Sequence, residues 1–154
     1  HRRLKQQLAK REITREYLAL VLGRPPARSG TIDAPIGRDR RHRTRMSTDT
    51  DEPREARTHF EIEETFAETT LLRVRLETGR THQIRVHFAA LRHPCAGDLT
   101  YGADPKLAAE LGLTRQWLHA HRLGFSHPVT GEWVEYESPY PHDLAYALDV
   151  LRGH

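Results

Sequence analysis

The sequence predicts a single α+β domain, and three observations support this. Its 154 residues suit one domain with a real core. Segments with a two-residue hydrophobic period and segments with a helical period follow one another in irregular order, without the regular alternation of a parallel βαβ fold. No repeat, low-complexity tract or long linker divides the chain, so residues 1–154 read as one unit.

The elements follow in order. "HRRLKQQLAKREI" reads as a helix already in progress, with Leu4 and Leu8 on one face and no capping residue ahead of it. "TREYLALVLG" alternates, with Tyr17, Ala19 and Val21 on one side and Leu18, Leu20 and Leu22 on the other. Both rows are largely apolar, which predicts a strand covered on both faces and stopped at Gly23. "RPPARSGTIDAPIGRD" is punctuated by proline and glycine and reads as loop or edge structure. "THFEIEE" reads as a strand. "TLLRVRLETG" reads as a stronger one, with Leu72, Val74 and Leu76 inward and Arg73, Arg75 and Glu77 outward. Thr78-Gly79 then turns the chain into a helix whose apolar row is Ile84, Phe88 and Leu91, which places Arg80 at a strand-to-helix corner. "HPCAGDLTYGADP" is loop, and Pro105 opens a short helix that Gly112 ends. "WLHAHRLGFSHPVTGEWVEYESP" reads as two strands around a turn at Pro128 to Gly131. "HDLAYALDVLRG" closes as a helix with Leu144, Ala147, Leu148 and Leu151 facing in.

Composition narrows the function. No apolar run approaches the roughly 18 residues of a membrane span, and these residues contain no secretory h-region. The single cysteine, Cys95, cannot form an internal disulfide and fits a reducing compartment, so a cytoplasmic location is expected. Net charge is only +3, but its distribution is uneven. "GRDRRHRTRM" gathers Arg38, Arg40, Arg41, Arg43 and Arg45 against Asp39 alone, the footprint of either a polyanion partner or a solvated loop. Arg80, His82, Gln83, Arg85, His87 and Arg92 crowd a segment that has no carboxylate between Thr81 and Pro94. A negative group is therefore expected close by, as a ligand or a buried acid. Metal chemistry lacks a ligand set. His82 and His87 are five apart and do not share a helix face, while His119 and His121 share a strand face without a carboxylate or cysteine at a matching spacing. The glycines form neither a phosphate loop nor a dinucleotide fingerprint. These residues lead to an intracellular α+β domain with a side facing RNA or DNA.

"LETGRTHQIRVHFAALRHPCAGDLTYG", from Leu76 to Gly102, resembles the signature region of the RluA/RluD-type RNA pseudouridine synthases. "KREITREYLALVLG" resembles that family's segment bearing the active-site tyrosine, "GTIDAPIGRD" its Pro-Ile-Gly-Arg loop, and "LHAHRLGFSHPVTGE" its Leu-His-Ala strand. The blocks occur in the family's order and span essentially the whole chain. The resemblance implies a mainly antiparallel mixed sheet with flanking helices, and isomerisation of selected uridines in RNA without cofactor or metal. The implied substrate is large-subunit ribosomal RNA, with transfer RNA as the alternative, acted on by a monomer away from membranes. In that chemistry uracil is detached at N1, rotated and rejoined through C5, with an aspartate as nucleophile. Tyr17 matches the tyrosine that packs on the target base and helps remove the C5 proton. Arg80 matches the arginine that pairs with the aspartate, and Leu118 matches an apolar residue of the base pocket. His82, Gln83 and Arg85 belong to the same signature and divide between supporting hydrogen bonds and phosphate contact. The arginines from Arg38 to Arg45 become RNA-backbone contacts. Outside this context Tyr17 and Leu118 would read as core and Arg80 as a surface or capping arginine.

One part of the family pattern is missing. The nucleophilic aspartate lies in a His-Arg-Leu-Asp stretch upstream of the tyrosine strand, and "HRRL" at His1 is followed by Lys5 with no acid. Asp33, Asp39 and Asp98 fall in other family blocks and do not replace it. The expectation is the C-terminal portion of a catalytic domain, inactive by itself. A non-catalytic RNA-binding domain derived from the family is the alternative. Sheet edges should be left uncovered, the Tyr17 strand first among them.

Overall fold

The computed structural model describes residues 13–80 and 82–153. The expected helix carrying Leu4 and Leu8 lies outside these. Among the described residues there are eight strands: β1 (Thr14–Leu22), β2 (Ser29–Asp33), β3 (Gly37–Arg38), β4 (Met46–Ser47), β5 (Arg57–Thr65), β6 (Thr69–Leu76), β7 (Leu118–Ser126) and β8 (Trp133–Glu137). The described helices are α1 (Gln83–Ala90), α2 (Pro105–Glu110) and α3 (His142–Arg152), with a 3₁₀ turn at Leu99–Tyr101. Six strands form one sheet in the order β2-β5-β6-β1-β7-β8, and every pairing in it is antiparallel. The short strands β3 and β4 form a separate hairpin that carries the arginine run.

The double apolar alternation of β1 places a core on each side of the sheet. Leu18 and Leu20 pack with Leu71, Trp117 and the inward residues of α2 and α3, including Leu144, Ala147 and Leu148. Ala19 and Val21 pack on the other side with Leu72, Val74, Cys95 and the α1 residues Ile84 and Phe88. β1 therefore runs through the middle of the sheet, bonded to β6 on one side and β7 on the other. This corrects the expectation that the Tyr17 strand would be an uncovered edge. The edges are β2 and β8, because the long β5–β6 hairpin and β7 fill both flanks of β1.

Local signals set the boundaries. Asp104 caps α2 by accepting from Lys106 N–H, Pro105 occupies the first turn, and Gly112 follows with φ +70°. α1 is shorter than its apolar row suggested. It ends at Ala90, and Leu91 is 42% exposed as its C-cap, not a core residue, while Val86 enters a third cluster with Ile36, Ala56 and Tyr101. Among the described residues no helix is long and apolar enough to cross a membrane.

Trp117 is the largest fully buried side chain, and its indole N–H donates to Leu144 O at 2.9 Å, tying β7 to α3. Trp117→Ala is expected to cost about 3–5 kcal/mol, read as a lower midpoint in urea unfolding followed by far-ultraviolet circular dichroism.

Candidate active site

The site begins at an irregularity in β1. Glu16 pairs with Arg122 but Tyr17 pairs with Ala120, so His121 is an extra residue on β7 and the ladder bulges beside Tyr17. Tyr17 and Leu118 both pack against the α1-side core, on the same face as Leu76 and Phe60. Ala120, opposite Tyr17, is exposed, so this face is open toward β7. A cleft of about 380 Å³ borders Tyr17, Ala120, His121, Tyr136 and Ser138. On this face Leu76, Leu118 and Phe60 form an apolar floor beside the Tyr17 ring.

Arg80 stands at the corner between β6 and α1, as the sequence indicated. Gln83, only 2% exposed, builds that corner. Its Oε1 accepts from Arg80 N–H at 3.0 Å and from the Thr78 hydroxyl at 2.6 Å. Its amide nitrogen donates to Arg57 O at 3.0 Å and to Thr58 Oγ1 at 2.9 Å. Two acceptor and two donor positions are thus filled, the full capacity of a side-chain amide. The Arg80 guanidinium donates through Nε to Glu55 O at 2.6 Å, and among the described residues it has no carboxylate partner. Just before it, a Cβ on Gly79 would lie 3.1 Å from Arg15 Nη1, so the corner rests on the residue two positions ahead of Tyr17 in β1. The structure thus sets Tyr17 and Leu118 on one face, and the tip of the Arg15 side chain, from the strand that carries Tyr17, reaches Gly79 beside Arg80.

Gln83 and Arg85, which the signature divides between supporting hydrogen bonds and phosphate contact, are both bonded within the fold. Gln83 is enclosed by its four bonds. Arg85 is committed to Asp98, with Nε to Oδ2 at 2.8 Å and Nη2 to Oδ1 at 2.9 Å. Asp98 is 1% exposed and is the buried acid that the carboxylate-free helix called for. The paired carboxylate holds the guanidinium above its ordinary pKa range. Arg85 also lies 5.0 Å from the Tyr101 ring centroid, and Arg45 of the hairpin lies 5.1 Å from it. The Tyr101 hydroxyl accepts from Met46 N–H at 3.2 Å and shares a hydrogen bond with His82 Nδ1 at 3.0 Å. One tyrosine thereby joins the arginine hairpin to the N-terminus of α1. His82 caps that helix at φ +55°, a left-handed conformation that is strained in a residue with a side chain. Burial, with Arg85 adding to it, lowers the His82 pKa.

The five hairpin arginines divide. Arg40 forms ion pairs with Asp49 and Asp51, at 3.5 and 3.0 Å, and Arg45 covers Tyr101. Arg38 donates to Arg43 O at 3.0 Å, and among the described residues Arg38, Arg41 and Arg43 carry no carboxylate partner. Asp39 shapes the turn by accepting from His42 N–H at 2.7 Å and Arg41 N–H at 3.0 Å, and these bonds, that of His42 foremost, hold its carboxyl at about 2. His119 donates through Nε2–H to Ser138 O at 2.9 Å, and its ring lies tilted against Tyr140, which is a structural role. Burial pushes the Cys95 thiol up to about 12, far from reactivity.

His87 is wholly buried. Its Nε2–H donates to Ala34 O at 2.8 Å, so Nδ1 accepts from the Thr58 hydroxyl at 2.7 Å, which in turn accepts from Gln83. The ring is a neutral link between β5, α1 and the segment after β2.

Comparison with known proteins agrees with this architecture. Residues 1–90 match the RNA pseudouridylate synthase family. An RNA pseudouridine synthase of Mycobacterium bovis is 58% identical over 150 residues, covering 97% of this chain and 48% of that protein. The ribosomal large subunit pseudouridine synthase D of Nitrosomonas europaea is 48% identical over 154 residues, covering 97% of this chain and 44% of its own length. In structure, human RNA pseudouridylate synthase domain containing 1 superposes with a TM-score of 0.74 at 32% identity, over 89% of this chain and 58% of that one. Human RNA pseudouridylate synthase domain containing 4 shares the fold, with a TM-score of 0.77 at 21% identity. The chain belongs to the RNA pseudouridylate synthase family, and it spans about half the length of the curated relatives it matches.

Two outcomes are expected here. Asp98→Ala leaves a nearly buried guanidinium unpaired and should cost about 3–5 kcal/mol in urea unfolding. Burial keeps His87 neutral in the fold, with a pKa below its ordinary 6.5, so the unfolded chain binds the extra proton. Stability is then full above about pH 6.5 and declines as pH falls below it. His87→Gln should flatten that decline in unfolding curves compared at neutral pH and pH about 5.

Proposed function

We propose that the protein to which this chain belongs isomerises uridine to pseudouridine in RNA, with ribosomal RNA of the large subunit as substrate, in the cytoplasm and as a monomer. The observation that carries this reading is an arginine, Arg80, fixed at its backbone by a buried amide and free of any carboxylate among the described residues. It adjoins the strand that presents Tyr17 beside Leu118. Such a cation is what a nucleophilic carboxylate needs in order to stay ionised in a partly dry site. The relatives named for large-subunit ribosomal RNA support the choice of substrate.

The chemistry follows from these groups. The target uridine leaves its stack and its ring lies on Tyr17, with Leu118 as the apolar edge of the pocket. An aspartate held by Arg80 displaces uracil from the sugar at N1. The ring rotates within the pocket and C5 attacks the sugar carbon, breaking its bond to the aspartate and releasing the carboxylate. The C5 proton is then removed with the help of Tyr17 and N1 regains a proton. Substrate and product are isomers, so the balance closes without oxidant, reductant or cofactor. No residue of this chain matches the family's nucleophilic aspartate, whose place is upstream of β1. Arg41 and Arg43, at the tip of the hairpin, meet the RNA backbone outside the pocket.

The test is tritium release from RNA carrying 5-tritiated uridine. The full-length protein should release tritium. Arg80→Ala in it should slow release by about a hundredfold or more while RNA binding persists. Tyr17→Phe should likewise keep binding and lose turnover. The 154-residue chain alone should bind RNA without release. Absence of release by the full-length protein on every ribosomal RNA fragment tried would favour the alternative, an RNA-binding domain without catalysis.

A further inference from the structure

Two groups of arginines are held in different ways. Arg40, Arg57, Arg73, Arg85, Arg115, Arg122 and Arg152 each meet a carboxylate at 3.0 Å or less. Their charge is cancelled within the fold. Arg38 and Arg80 are oriented by backbone carbonyls instead, those of Arg43 and Glu55. A carbonyl fixes a guanidinium without neutralising it, so both keep their full charge toward solvent.

Arg38, Arg80 and Arg54 line one basin of about 630 Å³, between the β3–β4 hairpin and the Gly79–Arg80 corner. Its floor is fixed. Ile36 and Arg54 exchange two backbone hydrogen bonds, each 2.9 Å, and Arg38 pairs with Met46 across the hairpin. Glu52 is the one carboxylate among the described lining residues. Three arginines against one carboxylate give the lining an excess of positive charge that favours an anion. The volume is within the range that takes a small ligand or one unit of a polymer.

We propose that this basin holds the backbone phosphodiester of the nucleotide flanking the target uridine, with Arg38 and Arg54 as its ligands. Arg80, at its rim, faces the reaction centre. The inference rests on the RNA-modifying reading above and extends it by naming where the chain grips the strand. Arg54 enters through its place in the fold, since it lies outside the arginine run. The arrangement makes the grip sequence-independent and sets the register of the strand, so that the neighbouring uridine falls over Tyr17.

The test uses the 154-residue chain and a fluorescein-labelled RNA hairpin with a uridine loop. Binding is followed by fluorescence anisotropy across a potassium chloride series. Arg38→Gln/Arg54→Gln should weaken binding and lower the slope of log affinity against log salt by about 1.5. Arg24→Gln/Arg28→Gln, an equal loss of charge at exposed positions outside the basin, should leave the slope unchanged. An equal fall in both variants would mean a diffuse positive surface and would overturn the basin while leaving RNA binding intact. An unchanged slope in the basin variant would do the same. Failure of the unsubstituted chain to bind the hairpin would remove both the basin and the RNA reading for this chain.

Discussion

The buried carboxylate of Asp98 is the constraint on which the site depends. A charge this deep is tolerated only when it is paired in good geometry, and Arg85 meets it with both prongs of its guanidinium. The pair locks α1 against the segment that follows Cys95, which itself lies along β1 through the Val21–Cys95 bridge. The 3₁₀ turn carrying Tyr101 is then fixed over Arg85, and Tyr101 reaches both the hairpin at Met46 and the helix start at His82. One ion pair thereby sets where the arginine hairpin stands relative to Arg80.

Charge is distributed to match. Arg57, Arg73, Arg85 and Arg122 are closed off by acids, and buried polar groups are closed off by one another along the chain from Arg80 N–H through Gln83, Thr58 and His87 to Ala34 O. That chain has no spare donor or acceptor in the Gln83 amide or the His87 ring, so it can fix a corner without drawing in water. The exposed cations at the rim are thus held by a neutral scaffold that does not compete with a substrate for their charge.

Much of this was legible in the sequence. The two apolar rows of "TREYLALVLG" implied a strand with a core on each side, and the alternation of "TLLRVRLETG" implied its neighbour. Thr78-Gly79 ahead of an apolar helical row placed Arg80 at a corner. Arg85 and Gln83 were harder to place, because a charged or amide residue in a basic signature carries no mark of what it faces. Asp98 lies thirteen positions beyond Arg85, in a loop with no periodicity to aim it. The pairing of Arg40 with Asp49 and Asp51 depends on the return of the hairpin, and the bulge at His121 on a one-residue mismatch between distant strands. Local pattern encodes the elements. The partners of long side chains are decided by three-dimensional proximity, which pattern does not contain.

The central position of β1 has a bearing on motion. Tyr17 sits on a strand bonded on both sides, so exposing its backbone requires the sheet itself to part, an event close to global unfolding. The hairpin bearing Arg38 to Arg45 is held by strands of only two residues each and can open far more cheaply. Amide hydrogens should exchange slowly at Tyr17 and fast through the hairpin. A rigid surface under the base and a pliant one under the phosphates let the same pocket accept RNA loops whose backbones follow different paths.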